Sequence, residues 1–582
     1  MTYIPQERHG KQPIKKHQTT QFSGYNELLT VSDGLTFSPN MCNFKILPDG
    51  SLKKREGYSE LFTATGSVEG LWGGTIAGHN ILAASIGGDL WIYDLDLSMS
   101  YNAGEIGTGH ASMFPFGGKL YILNGVDYYC YDGNTLTTAS GYAPLILIAC
   151  DPSDGSGTLY EEVNLLSLQR RQRFNTDGST RNFRFTEKNI DKVDWVKFNG
   201  ETLASNAYSF SKTYGAITLT TAPAEATDAL EVCYTLAATE SRRSIITAYR
   251  YAMIFGGNTD NRIFIWGSED EPCTIRHTAL GDGVPNPEYF PENSFRVIGD
   301  TAITDIIQQY DRQLIFAQDR AFYSYCDLTT DAMGNAYASY PVFALNASKG
   351  SLIYGGGTIA DGCPITFCGD GLNRWEATNV QDERSATCFS QRIDKSIAEL
   401  LRYRRYEDGV LHFHQPTSEL FLCCEDKMYI CNTRLNAWYV YDGLYTTAMC
   451  TVGDSLYIGD RYGRVVCPND SIKNFEATWV SPTCSFGCCG RLFTTGKLFY
   501  TAEWKSGAGF SVGWAENTLR EGSTYTETGD GITDKHELYR AVRLPAKRVA
   551  AVKLQITSPS GKDACIHALA VEYNEMGDYR LG

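Results

Sequence analysis

The stretch ILAASIGGDLWIYD at residues 81–94 decides the fold, because it reads as an apolar strand, a tight Gly-Gly-Asp turn and a second, aromatic-rich strand. Gly, Asp and Asn accept the positive φ angles that tight hairpins need, so this stretch predicts a β-hairpin. The same pattern occurs seven times in the chain. The copies begin at Ile81, Leu120, Met253, Leu314, Ile365, Leu420 and Leu456.

The spacing of these copies predicts a β-propeller. Successive copies begin 39, 133, 61, 51, 55 and 36 residues apart, and with one exception this brackets the roughly 40 to 50 residues of a propeller blade. Blades arranged radially bury their faces against neighbours and leave only short edges. We therefore predict an all-β fold built on a propeller of about six to eight blades. Two or three separate β-sandwiches are the alternative architecture.

The same spacing divides the chain into five segments. The 133-residue gap leaves room for a small β-sandwich inserted through a loop between blades, and a soluble chain should survive its excision. Strands after about residue 475 are longer, which predicts a C-terminal β-sandwich. The predicted segments are an extended N-terminal arm (1–23), N-terminal strands with the first blades (24–144), the inserted β-domain (145–240), the remaining blades (241–474) and the C-terminal sandwich (475–582).

Helical periodicity is confined to one stretch, residues 385–405. Ile393, Ile397, Leu400 and Leu401 fall on one face there, so one helix is predicted.

Composition favours a folded chain made in a cytoplasm. The chain has 582 residues, of which 43% are hydrophobic and 20% charged. No apolar run approaches the roughly 18 residues that cross a bilayer, and the first residues lack the apolar core of a signal peptide. The 18 cysteines are spread along predicted strands, which is typical of reduced, small core residues.

Few residues in the sequence suggest metal binding, and none fits a known spacing. One group is a cluster of three cysteines, which lacks the spacing of a zinc site. A second is a pair of histidines on one predicted strand, for which no third ligand is identifiable. The third is a loop with two aspartates, which lacks the terminal Glu of an EF-hand. We predict no metal and no cofactor. These groups are Cys484, Cys488 and Cys489; His412 and His414; and Asp151 and Asp154.

Enzyme motifs are also missing from the sequence. The Gly-x-Ser-x-Gly elbow, Walker loop, dinucleotide fingerprint and HExxH motif do not occur. A glycosidase needs two carboxylates at a fixed separation, and 67 Asp and Glu residues single out no pair. We predict a non-enzymatic protein without catalytic residues.

The stretch SPNMCNFKILPDGSLKKREGYS at residues 38–59 joins an Asn-containing strand, a glycine turn and a basic step. It resembles the N-terminal signature of the packaged-DNA stabilisation and tail-nozzle proteins of short-tailed bacteriophages, the tail tubular protein B-like β-propeller family. The family pattern usually has proline where this chain has Glu56. The matching residues are Asn40, Asn43, Gly50, Lys54, Arg55 and Gly57.

The resemblance implies a function in the virion, to which the protein would belong after assembly in the host cytoplasm. It implies a structural tail protein that forms a homo-oligomeric, usually hexameric ring below the portal and adaptor. Such a ring closes the DNA exit, conducts double-stranded DNA during ejection without sequence-specific binding, and carries tail fibres. The alternatives are a receptor- or glycan-binding propeller adhesin of the tail tip and a propeller glycoside hydrolase.

The residues of the motif need no chemistry of their own. Gly50 and Gly57 suit turns, and Arg55 can pair with a carboxylate across strands or on a neighbouring subunit. The N-terminal arm, with no core of its own, is predicted to be ordered by a partner subunit. Its basic residues are Arg8, Lys11, Lys15 and Lys16.

The net charge bears on contact with DNA. The chain has 51 Lys and Arg against 67 Asp and Glu, a net charge of −16. A DNA-binding domain carries a basic patch, because phosphate contacts supply most non-specific affinity. We expect a channel-facing surface that is acidic or neutral. The alternative is that the charge only keeps a large chain soluble.

Overall fold

The computed structural model describes residues 13–256, 261–330, 336–376, 386–488, 491–504, 507–516, 524–528, 536–543 and 548–578. Almost all of the regular structure in these ranges is β. The chain divides into two compact units, and each is described by itself. Unit 1 contains the described residues of 1–64 and 356–582, and unit 2 contains those of 65–355.

Each of the seven predicted hairpins is an antiparallel strand pair. Each pair belongs to a set of four antiparallel strands, which is a whole sheet in six cases and part of a six-stranded sheet for the copy at Leu420, so the fold is all-β and propeller-like, as predicted. The hairpin forms the second and third strands in six of these sheets, but the copy at Met253 forms the first and second. The middle strands are mostly buried along their length, which explains why their sequences are apolar runs rather than alternating patterns.

Unit 2 contains four of these sheets, named A to D in chain order. Sheet A consists of Val68–Ile76, His79–Ile86, Asp89–Asp94 and Met99–Glu105, and sheet B of Ser112–Phe116, Lys119–Leu123, Tyr128–Tyr131 and Leu136–Thr138. Sheet C consists of Tyr251–Gly256, Asn261–Trp266, Thr274–His277 and Phe295–Val297, and sheet D of Ile303–Gln309, Arg312–Ala317, Ala321–Tyr325 and Val342–Asn346. Two separate two-stranded hairpins lie between the third and fourth strands of sheets C and D in chain order: Leu280–Gly281 with Val284–Pro285, and Asp327–Thr330 with Ala336–Ser339.

Unit 1 contains the other three, named E to G. Sheet E consists of Thr358–Ala360, Cys363–Cys368, Gly371–Trp375 and Ala386–Cys388, and sheet F of Val410–His414, Glu419–Cys424, Lys427–Asn432 and Ala437–Asp442, extended by Gly24–Tyr25 and Phe37–Ser38. Sheet G consists of Thr446–Val452, Ser455–Asp460 and Arg464–Asn469, and its fourth strand is Gly57–Thr63 from the N-terminal region.

The segment predicted as an insert forms two sheets with a shared apolar core. The larger sheet contains, in spatial order, Thr158–Leu159, Leu145–Cys150, Gln169–Thr176, Ala226–Leu236, Ile190–Phe198 and Glu201–Thr202. The smaller contains Asn182–Arg184, Ala216–Leu219 and Tyr208–Ser211.

The boundary of this segment differs from the expectation in one respect. Leu165 and Leu166 pack in the core between sheets B and C, with Tyr128 and Phe290. Excising all of 145–240 would therefore remove apolar side chains from the propeller sheets, so the excised chain is expected to be destabilised rather than simply shortened.

Two further sheets form the C-terminal β-structure, and N-terminal strands complete both. One contains His536–Arg543, Arg491–Trp504, Cys565–Asp578, Leu52–Lys54, Phe44–Ile46 and Lys15–Thr19. The other contains Val31–Ser32, Thr483–Cys484, Val552–Ser558, Ala477–Val480, Asn40–Cys42, Gly509–Glu516 and Thr524–Thr528. We predicted a C-terminal β-sandwich formed by residues 475–582 alone. The strand pattern cannot reveal that N-terminal strands, so distant in sequence, pair with these residues.

The predicted helix is present but shorter than residues 385–405. Its helical core is Asp394–Arg402, with Ile397 and Leu400 buried, and residues Ala386–Cys388 instead complete sheet E. Within the described residues, other helical elements are the short helix Ser244–Thr247 and the 3-10 turns Ser205–Ala207, Ala238–Glu240, Gln391–Ile393 and Gln415–Thr417.

Candidate functional site

Four residues of the family-like motif come together in the interior of unit 1. Lys54 and Arg55 are buried, with 0% and 3% of their surfaces exposed, and Asn43 lies beside them at 3%. Gly57 follows at the start of the strand that completes sheet G. We call Asn43, Lys54, Arg55, Asp442 and Phe475 the Arg55 node.

The Arg55 guanidinium donates three hydrogen bonds in the interior of unit 1. Its Nε donates to Asn43 Oδ1 at 2.8 Å, and its two terminal nitrogens donate to the Glu56 and Asp442 carbonyl oxygens at 2.8 and 3.0 Å. The guanidinium also lies 4.0 Å from the centre of the Phe475 ring. A planar cation with several donors suits such a site, because it can stack and hydrogen-bond at once.

Asn43 is the second side chain of the node that links separate strands. Its φ of 58° lies in the left-handed region, which Asn tolerates better than most residues. Its Nδ2 donates to Asp442 Oδ1 at 2.6 Å and to the Glu476 carbonyl at 2.8 Å, while its Oδ1 accepts from Arg55. A single side chain thus joins the N-terminal strands to sheet F and to the start of the C-terminal strands.

Lys54 extends the node into the C-terminal β-structure. Its Nζ donates to the Pro559 and Lys562 carbonyls at 2.9 and 2.8 Å. Burial lowers the pKa of Lys54 to about 8. The Lys54 and Arg55 cations are therefore internal ties, and they do not present charge to an external ligand.

The sequence expectation for Arg55 was a carboxylate partner, on another strand or another subunit. The structure instead gives it an amide oxygen and two backbone carbonyls of its own chain, and the only nearby carboxylate of the node, Asp442, accepts from Asn43. The sequence could not identify the Asp442 carbonyl as a partner, because Asp442 lies 387 positions from Arg55 in the chain.

Asn40 and Gly50 lie apart from the node. Asn40 is exposed and belongs to the strand that pairs with Ala477–Val480. Gly50 has a φ of 82° in the turn before Leu52–Lys54. At Gly57, an added Cβ would lie 2.5 Å from the Ile472 carbonyl oxygen, so close backbone approach explains this glycine.

The basic arm is partly described. Arg8 and Lys11 lie outside the described residues. The structure differs from the expectation of a partner-ordered arm from Lys15 onward, because Lys15–Thr19 pairs with the strand Cys565–Asp578 of the same chain. Lys15 forms an ion pair with Glu575, and Lys16 forms one with Glu572 at 3.4 Å. Phe22, near the end of the arm, is buried against Trp479.

The first strands of sheets A to G bear on the hydrolase alternative. Consecutive first strands contact one another from sheet A to sheet C and from sheet E to sheet G. Within these described strands the only carboxylates are Glu69 and Asp305, and there is no Lys or Arg. Glu69 accepts from the Gly109 amide at 2.8 Å, and Asp305 is 3% exposed and accepts from the Ile306 amide.

The histidines that the sequence singled out as metal-ligand candidates have hydrogen-bond partners. His412 Nε2 lies 2.8 Å from Thr451 Oγ1, and burial lowers the pKa of His412 to about 4. His414 Nδ1 lies 2.8 Å from Thr417 Oγ1.

The acidic and cysteine candidates are equally accounted for by local contacts. Asp151 and Asp154 accept hydrogen bonds from serines of their own loop. Cys484 and Cys488 are buried in the core of unit 1, and Cys489 lies outside the described residues.

A different group escaped sequence reasoning. Glu503, Cys565 and His567 place one ligand atom each within 4.8 Å of one another. The available signal was the Cys-x-His spacing, which puts two ligands on one face of a strand. Glu503, from another strand, could not be assigned to them without the strand register.

Comparison with known proteins identifies no family. No family model matches the sequence, and no curated protein matches it. Among solved structures, the designed protein Ika8 matches 70% of this chain and 98% of its own at 10% identity and a TM-score of 0.32. PorZ, a surface component of the type-IX secretion system of Porphyromonas gingivalis, matches over 73% and 42% at 10% identity and a TM-score of 0.32.

An exo-β-1,3-galactanase from Phanerochaete chrysosporium matches 81% of this chain and 97% of its own at 11% identity and a TM-score of 0.18. At these scores none of the three likenesses bears on function. In the part of the chain that the structure describes, no helix is long and apolar enough to span a membrane.

Proposed function

We propose that this protein is a structural component of a short-tailed phage virion, the nozzle that closes the DNA exit channel and conducts DNA during ejection. The observation that carries the proposal is the Arg55 node: four of the six residues that resemble the family signature are buried, and three of them join the N-terminal strands to sheet F and to the C-terminal β-structure. A structural role for these residues fits a protein whose task is to withstand load. The proposal names no catalytic residue.

Exposed apolar side chains on outer strands support assembly into a ring. The fourth strands of sheets A, C and D carry five large exposed apolar residues: Met99, Tyr101, Phe295, Val297 and Phe343. Edge strands with exposed apolar residues pair readily with other chains. A closed ring of copies, for which a hexamer is proposed, would cover such edges.

Electron microscopy of the purified full chain, alone and with a portal-adaptor complex of the same phage, tests the proposal. We expect rings with cyclic symmetry that dock on the side of the adaptor facing away from the portal. A chain that stays monomeric at all concentrations and does not bind the complex would contradict it. Binding to a glycan array without binding to the adaptor would favour the adhesin instead.

Two truncations separate the roles of the N-terminal arm. Removing residues 1–12 should weaken ring formation or adaptor binding, because the arm would contact a partner in the assembly. Removing residues 1–23 should also lower the melting temperature, because it deletes a paired strand and the buried Phe22. Calorimetry and a sedimentation or pull-down assay give the two readouts. Equal adaptor binding by the 1–12 truncation and the full chain would contradict an assembly role for the arm.

The charge of the chain predicts weak binding to DNA. A channel that DNA must leave quickly gains from few phosphate contacts, since each retained contact slows passage. We expect no gel shift of duplex DNA by micromolar protein at moderate ionic strength. Submicromolar affinity that falls steeply with added salt would contradict this expectation, as would an assembled lumen lined with Lys and Arg.

A further inference from the structure

Three metal-ligating side chains from two neighbouring strands meet on one face of a C-terminal sheet. Glu503 lies near the end of Arg491–Trp504, and Cys565 and His567 lie at the start of Cys565–Asp578. One ligand atom from each lies within 4.8 Å of the other two. This separation is close enough for one ion to reach all three after small side-chain rotations.

Strand alternation explains why these side chains share a face. Ala502 and Ile566 are opposite each other in the register, and both are 0% exposed in the core of unit 1. Side chains of successive residues point to opposite faces of a sheet. Glu503, Cys565 and His567 therefore project from the other face. Cys565 is nevertheless only 4% exposed, and the other two are half-buried.

The turn at residues 49–51 orients the histidine. Ser51 Oγ lies 2.7 Å from His567 Nδ1, and Asp49 Oδ2 lies 3.9 Å from the same nitrogen. Histidines that bind metals usually have the second ring nitrogen held by a hydroxyl, carboxylate or carbonyl, which fixes the ring and its tautomer. With Nδ1 held by Ser51, Nε2 is the nitrogen available to an ion.

The charges around the cysteine favour a cation. The Glu503 carboxylate and the Cys565 thiol each place a ligand atom within 4.8 Å of the other, on the same face of the sheet. A dication at the site would stabilise the thiolate and compensate the Glu503 charge in one step.

We propose that Glu503, Cys565 and His567 bind one divalent transition-metal ion of the zinc class, with water as the fourth ligand. The donor set decides the class of ion, because thiolate and imidazole suit zinc and cobalt, whereas magnesium and calcium require oxygen ligands. Binding forms a metal–sulfur bond and releases the Cys565 proton to solvent. The ion would tie two strands together and, through Ser51, fix the turn that precedes Leu52–Lys54.

Cobalt titration of the purified full chain tests the site directly, because a cobalt–thiolate bond gives a strong near-ultraviolet charge-transfer band. We expect one equivalent of Co²⁺ to produce the band and one equivalent of Zn²⁺ to abolish it. Cys565→Ser should lose the band. Cys484→Ser, which changes another buried cysteine of the C-terminal β-structure, should retain it and serves as the matched control.

A thermal readout covers the case in which Cys565→Ser does not fold. Glu503 and His567 are only half-buried, so Glu503→Gln and His567→Gln should fold. Zn²⁺ should raise the melting temperature of the unaltered chain and leave that of His567→Gln unchanged. Absence of a cobalt band in the unaltered chain, or an undiminished band in Cys565→Ser or His567→Gln, would overturn the proposal. These outcomes do not depend on whether the protein forms a phage nozzle.

Discussion

Arg55→Ala is expected to lower the free energy of unfolding of unit 1 by about 3 to 5 kcal/mol. The substitution removes three hydrogen bonds from a cation that is 3% exposed, and it leaves Asn43 Oδ1 and the Asp442 carbonyl without this donor. It also leaves a cavity beside Phe475, against which the guanidinium stacks. Scanning calorimetry should therefore show the transition of unit 1 at a markedly lower temperature.

Two further variants make the Arg55 experiment specific. Arg55→Lys should recover less than half of the loss, because one ammonium group cannot reproduce the three directions of the guanidinium donors. Arg434→Ala removes an exposed arginine of the same unit and should change stability by less than about 0.5 kcal/mol. If Arg55→Ala melts at the same temperature as Arg434→Ala, the node is not a structural tie.

Asn164→Ala should destabilise unit 2 by about 4 kcal/mol or more. The Asn164 side chain is 2% exposed, and all its hydrogen bonds are to the backbone. Its Nδ2 donates to the Tyr142 and Glu288 carbonyls at 2.8 Å each, and its Oδ1 accepts from the Leu166 and Phe290 amides at 3.1 and 3.0 Å. Alanine would leave four backbone groups in the interior without this partner.

The Asn164 experiment needs a graded series. Asn164→Asp keeps the two acceptor contacts and loses both donors, so it should also destabilise the unit strongly. Asn134→Ala, at an exposed position on the loop before Leu136–Thr138, should have little effect. Hydrogen exchange at the Leu166 and Phe290 amides should accelerate in Asn164→Ala alone. Unchanged protection at these two amides would contradict the assigned contacts.

Local sequence was sufficient for the hairpins because each one is a local event. A turn of Gly, Asp or Asn between apolar strands determines the pairing within a dozen residues, as at Ile81–Asp94. Local sequence was not sufficient for the boundaries of the helix predicted at residues 385–405, because Ala386–Cys388 forms the fourth strand of sheet E. Tertiary pairing there outweighs helical periodicity.

Non-local pairings were beyond sequence reasoning, and the candidate sites depend on them. The contact of Arg55 with the Asp442 carbonyl and the meeting of Glu503 with His567 follow from strand pairings that join distant parts of the chain. The pairing of Lys15–Thr19 with the last strand is of the same kind. The side chains of the motif could be named in advance, but their partners could not.

The strand Gly57–Thr63 pairs with Arg464–Asn469 in sheet G. During synthesis, this pair cannot form until the later strand has left the ribosome. At ribosomal rates, the roughly 400 residues between the two strands take about 20 to 80 seconds to emerge. Throughout that interval the earlier strand is a free edge that another nascent chain could capture. Ribosomes translating one message in close succession would place many such edges side by side. Slower initiation should therefore raise the yield of soluble protein more than slower elongation.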